Sequence, residues 1–123
     1  MFVDTTARCP MIEALRREGA RGPWLGLLGE LTKLAGGGAQ LLRHAERPWS
    51  SNTFSGARHT FHLAFEGPAD VTGGEHLIAV LPDHEFSLPG RIVADATVIA
   101  VEHSLIHGPR LTITAELLIL DEA

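Results

Sequence analysis

The feature that most restricts how this chain folds is the alternation at residues 58–66, "RHTFHLAFE". His59, Phe61, Leu63 and Phe65 interleave there with Arg58, Thr60, His62, Ala64 and Glu66. A period of two sends the first set to one face of an extended chain and the second set to the other, which predicts a strand with one buried face. Such a face needs a second layer to cover it. Gly67 and Pro68 follow at once and end the strand, because proline brings no N–H to the ladder.

The covering layer is legible upstream. Pro10 opens "PMIEALRREGA", a short helix with proline at its first position and Gly19 as its stop. In "GPWLGLLGELTKLAGGG" the apolar residues Trp24, Leu27, Leu28, Leu31, Leu34 and Ala35 recur at helical spacing, and Gly36, Gly37 and Gly38 end the run. Gly26 and Gly29 each weaken this helix by about 1 kcal/mol, so its apolar stripe must be packed. "AQLLRHAER", residues 39–47, predicts a strand with mixed faces.

Beyond Pro68, "ADVTGGEHLIAVL" predicts a helix with Val71, Leu77, Ile78 and Leu81 on one side. Pro82 closes it, while Gly73 and Gly74 disfavour its first turns. "FSLPGRIVADATVIAVEHSL" and "PRLTITAELLIL" are β-rich and joined by the turn-like "IHGP". Both carry apolar residues on two faces, around 93–101 and 117–120, which predicts central strands or a face covered by a neighbouring molecule. The order is α-α-β-β-α-β-β. The expected fold is α+β: an antiparallel four-stranded sheet with helices packed on one face.

At 123 residues, with 45% hydrophobic and 20% charged residues, the chain has the composition of one globular domain spanning 1–123. Residues 1–9 are expected to form a flexible N-terminus. No apolar run reaches the roughly 18–20 residues that span a bilayer, and no signal peptide is evident, so a cytoplasmic, membrane-free protein is expected. Cys9 is the sole cysteine, which excludes an intrachain disulfide framework.

The net charge of −5 hides a split: residues 1–60 sum to +3 and residues 61–123 to −8. An acidic molecule is a poor non-specific binder of nucleic acid. If the halves occupy different faces, a basic surface can meet an acidic one in head-to-tail self-association. If the folded chain interleaves the halves, the split has no consequence.

Catalytic patterns are missing. There is no HExxH, no paired CxxC and no HxH. His59 and His62 diverge on their strand, as do Glu102 and His103 on theirs. A metal site assembled across elements, for example from His59 and His103, stays open. Ser55 lacks the setting of a nucleophile elbow. "LAGGGAQ" leads from helix to strand, the reverse of a phosphate cradle. No cofactor is expected, and no enzymatic activity.

"RPWSSNTFSGA", residues 47–57, reads as a long hairpin connection between strands 40–47 and 58–66. Long loops are commonly functional, and Trp49 and Phe54 are typical contact anchors, with Arg47 and Arg58 at the base. The alternative is that both aromatics fold back on their own domain.

Taken in order, the helix, the hairpin, "ARHTFHLAFEG", a helix, "FSLPGRIVADATVIAVEHSL", a turn and "PRLTITAELLILDE" resemble the tail-terminator (tail-completion) proteins of long-tailed phages and gene-transfer agents. The similarity covers residues 58–122 and rests on pattern and on short pieces such as "RHTFHL" and "LPG". It implies a small non-enzymatic α+β protein that forms a homo-oligomeric ring in a virion-like particle, with tail-tube and head-connector proteins as partners. It further implies contacts through hairpin loops such as 48–57 and 104–109, the second of which holds His107. A rival reading from the residues is a small dimeric ferredoxin-like α+β module that binds a ligand between sheet and helix. A third is a metal-dependent enzyme using His59, His62 or His103 with an acid.

Overall fold

The expected α-α-β-β-α-β-β order is the one the chain adopts. The computed structural model describes residues 10–122; Cys9 and the 1–9 segment lie outside them. Helices α1 (Pro10–Arg17) and α2 (Trp24–Leu34) come first, then strands β1 (Gln40–Ser50) and β2 (Ser55–Glu66). Helix α3 (Pro68–Val80) runs into a 3-10 turn at Leu81–Asp83, and β3 (Arg91–Ser104) and β4 (Arg110–Asp121) follow. The strands lie in the order β1-β2-β4-β3, every neighbouring pair antiparallel. Two hairpins are thus joined through β2 and β4, leaving β1 and β3 as edges. This order differs from the β-α-β-β-α-β of a ferredoxin-like domain.

The alternating residues of β2 sit where the pattern places them. Phe61, Leu63 and Phe65 are fully buried beside Leu111, Ile113, Ala115 and Leu117 of β4. Leu27, Leu28 and Leu31 of α2 and Val71 and Leu77 of α3 complete the same core. Burying each such side chain contributes roughly 1.5–3 kcal/mol. That outweighs the two glycines of α2.

Three expectations need correction. Gly73 and Gly74 do not interrupt α3; they let it dock. A Cβ at Gly73 would lie 2.0 Å from the Ala35 carbonyl oxygen, and one at Gly74 would lie 2.8 Å from the Phe65 and Leu111 side chains. Close approach decides here over helix propensity.

Strand β3 is an edge, not a central strand. Its register shifts at Val93/Asp95 and at Val98/Ala100. The first shift adds one residue and reverses the alternation, so Val93 joins Ala96 and Val98 against the core. Ile92, Ile99 and Val101 are left 46%, 53% and 48% exposed.

The connection at 48–57 is short. β1 runs to Ser50 and β2 starts at Ser55, so only residues 51–54 turn. The Ser51 N–H donates to the Phe54 carbonyl at 2.7 Å, and the Ser51 hydroxyl accepts the Phe54 N–H at 3.1 Å. A serine that satisfies the turn's own backbone makes it tight. Pro48 fits in β1 because an edge strand tolerates a residue without an N–H.

Candidate functional site

Residues directly opposite in an antiparallel ladder share a face. Arg47 lies opposite Arg58, and Trp49 opposite Gly56. Because His59 and Phe61 turn toward the helices, this group occupies the open face of the sheet. Arg47 is exposed there and Trp49 is half-buried. Arg58 donates from Nη1 to Glu116 Oε1 at 3.0 Å, which ties it to β4. Phe54 stands at the β1–β2 tip, 49% exposed. His107 is exposed in the β3–β4 connection. The two tips sit at opposite ends of β2, whose 12 residues span about 40 Å. The five residues form two groups, not one site.

The strand order also answers the charge question. On the open face, β1 presents Arg43 and Arg47, whose ladder partners are His62 and Arg58. At the other edge β3 presents Asp95 and Glu102, opposite Leu118 and Thr112. All four are exposed. Basic and acidic side chains therefore occupy opposite edges of one sheet. Beyond the acidic edge, Leu105 and Ile106 at the β3–β4 tip are 73% and 82% exposed.

A third feature lies on the helix side. His44 and Glu46, two residues apart on β1, face inward; Glu46 is opposite His59, and His44 is opposite Phe61. His44 Nε2 and His59 Nδ1 are 2.9 Å apart, a hydrogen bond between imidazoles. Trp24 stacks on His44 with ring centroids 4.2 Å apart and planes 12° from parallel. The indole is itself held by its N–H, which donates to the Arg21 carbonyl at 2.8 Å. Burial, reinforced by the neighbouring His59, lowers the His44 pKa from 6.5 to about 4, against the opposing pull of Glu46. Burial lowers His59 as well, again opposed by Glu46. Both rings are neutral at physiological pH.

Beside this pair lies a cleft of ≈ 290 Å³, lined by Pro23, Glu46, His59, Arg91 and Asp121 among others. Arg91 Nε donates to Asp121 Oδ1 at 3.0 Å across its rim. Among the described residues, the cleft therefore contains an ion pair, an unpaired carboxylate and a neutral imidazole.

The histidines singled out from sequence do not come together. His62 points to the open face and meets Thr114 Oγ1 at 3.2 Å. His103 pairs with Leu111 on β3, six residues along the sheet from the Leu117 rung of His59, or roughly 20 Å away. The partner of His59 is His44, which sequence reasoning passed over. The available signal was the spacing of "HAE", residues 44–46, which puts His44 and Glu46 on one face of a strand. Its value appears only once the β1–β2 register is known.

No protein-family model matches the sequence, and no curated protein does either. Among solved structures, the fold is similar to a chain described as the virion of native gene transfer agent (GTA) particle, with a TM-score of 0.56. The alignment covers 91% of this chain and 93% of that one at 11% sequence identity. The likeness is one of fold, and it supports the resemblance read from the strand pattern.

Proposed function

We propose that this protein is a non-enzymatic structural component of a phage-like particle that associates head to tail with copies of itself into a ring, in the manner of a tail terminator. The observation that carries this reading is the pair of unlike sheet edges. Arg43 and Arg47 face outward from β1, and Asp95 and Glu102 face outward from β3. An edge strand is a place where another chain can add itself, and two different complementary edges make a heterologous contact, the kind that closes into rings. The bulges of β3 bend it away from a straight ladder, so side chains carry more of the contact than backbone bonds do.

The near-complete overlap with a GTA virion component supports a place in such a particle. Arg47, Trp49, Phe54 and Arg58 serve contacts at one end of the sheet and His107 at the other. Partners on opposite sides of the ring, a tail tube and a head connector, fit that separation.

Light scattering on purified protein tests the reading. A homo-oligomer that loosens as salt rises is expected. Arg43→Glu with Arg47→Glu should weaken association, as should Asp95→Lys with Glu102→Lys. Mixing the two variants should restore it, because each then offers the edge the other needs. A salt-indifferent monomer, or variants that assemble as well as the parent does, would sink the head-to-tail ring.

A further inference from the structure

We propose that His44, Glu46 and His59 form a binding site for a borderline divalent cation of the zinc class. This site is independent of the assembly reading, since its residues face the helices and not the open face.

The argument begins with the backbone. The β1–β2 register sets Glu46 directly across from His59 and puts His44 one inward position away. One ligand atom from each residue lies within 4.8 Å of the other two. Zinc bonds of about 2.0–2.2 Å place any two ligands of one ion no more than roughly 4 Å apart. The imidazole nitrogens, at 2.9 Å, need to open by a few tenths of an ångström. The carboxylate needs to swing inward. Glu46 is exposed and free to do so.

The donor set suits the ion. Two neutral imidazoles and one carboxylate are ligands that zinc takes readily. Trp24 stacks on His44 and holds its ring, so part of the ordering is present before any ion arrives. Hydrogen-bonded outer partners commonly serve that purpose at metal centres; stacking serves it here. With three protein ligands the ion would keep a position open. Glu46 and His59 also line the ≈ 290 Å³ cleft, so water or a small anionic group can reach that position.

The competing state is the His44–His59 hydrogen bond itself, and titration separates the two. Tag-free protein stripped by chelator is titrated with zinc chloride by isothermal calorimetry, with bound metal counted by elemental analysis. One ion per chain is expected. Glu46→Gln and His44→Gln should each weaken binding by at least the roughly 10–100-fold typical of losing an outer-shell partner. His103→Gln, on the far edge of the sheet, should leave it unchanged. Glu46 is exposed, so its variant folds, and circular dichroism verifies this. A cobalt-loaded sample should show tetrahedral d–d bands that vanish in Glu46→Gln. Absence of binding, or binding that survives both substitutions, overturns the site.

Discussion

At the β1–β2 tip, Ser51 closes the turn: its N–H donates to the Phe54 carbonyl and its hydroxyl accepts the Thr53 and Phe54 N–H groups. At the β3–β4 tip, Leu105 and Ile106 stand 73% and 82% exposed, and the backbone closes through a long Gly108 N–H to Leu105 carbonyl bond of 3.4 Å. The strands behind the tips differ in the same sense. β1 carries outward Arg43 and Arg47, one proline, one register shift and a single strongly exposed aliphatic, Leu42; β3 has two bulges and exposed Ile92, Ile99 and Val101. A hairpin rich in serine and threonine can be complete in itself. Apolar side chains at a tip have nothing within their own hairpin to cover them, and a cluster of this kind marks a contact surface. For the proposed ring, the comparison puts weight on the second of the two loops the resemblance implies, 104–109, with Phe54 and Trp49 as the first hairpin's share.

The strongest way to break the comparison is to remove what both hairpins share. Phe61 joins β1, β2 and the helices in one core, so Phe61→Ala is expected to destabilise by about 3–5 kcal/mol. Urea denaturation monitored by circular dichroism reads this, and both hairpins should melt together. Separate transitions would show two independent units.

Leu105→Asp with Ile106→Asp should leave the denaturation midpoint near that of the parent but cost more than about 2 kcal/mol of association, the scale of an interface hot spot. Phe54→Asp should cost less. Light scattering against concentration ranks them, and the reverse order would return the contact to the first tip.

Acid should weaken the shared fold through the histidine pair of the first hairpin. His44 and His59 have folded pKa values below the unfolded value of 6.5. The unfolded chain therefore binds protons first as pH falls. Their contribution is intact above about pH 6.5 and is lost between 6.5 and about 4. With His44 partly open to solvent, the loss is about 1–2 kcal/mol. His44→Gln should flatten the dependence of the urea midpoint between pH 7 and 5. An unchanged slope would mean that the ring pair does not govern it.

The smallest effect concerns Arg58. Arg58→Ala removes a partly buried pair with Glu116, its side chains 24% and 27% exposed, and should cost about 0.5–1 kcal/mol. A double-mutant cycle with Glu116→Ala measures it.

The alternation at 58–66, the stripe of α2 and the glycine and proline stops were enough to read the element order and the helix-covered sheet, because period and punctuation are local properties. The length of β1 was not readable. Its final residues, Arg47 to Ser50, carry no apolar alternation; they are held as a strand by pairing with β2. The two-faced look of β3 misled because bulges are set by the partner strand, and a single chain's pattern does not contain the partner. The histidine pair was invisible for the same reason: His44 and His59 are 15 residues apart and meet only through register.

What the sequence alone determined is which residues are apolar, where the chain must turn, and that its two halves differ in charge. Tertiary structure decided that Arg43 and Arg47 on β1 lie across the sheet from Asp95 and Glu102 on β3, that Gly73 and Gly74 admit a close approach, and that an indole, two imidazoles and a carboxylate share one corner. Strand order and register are long-range choices. They follow from burying the faces of β2 and β4 against the helices, and only that burial fixes which side chains become neighbours.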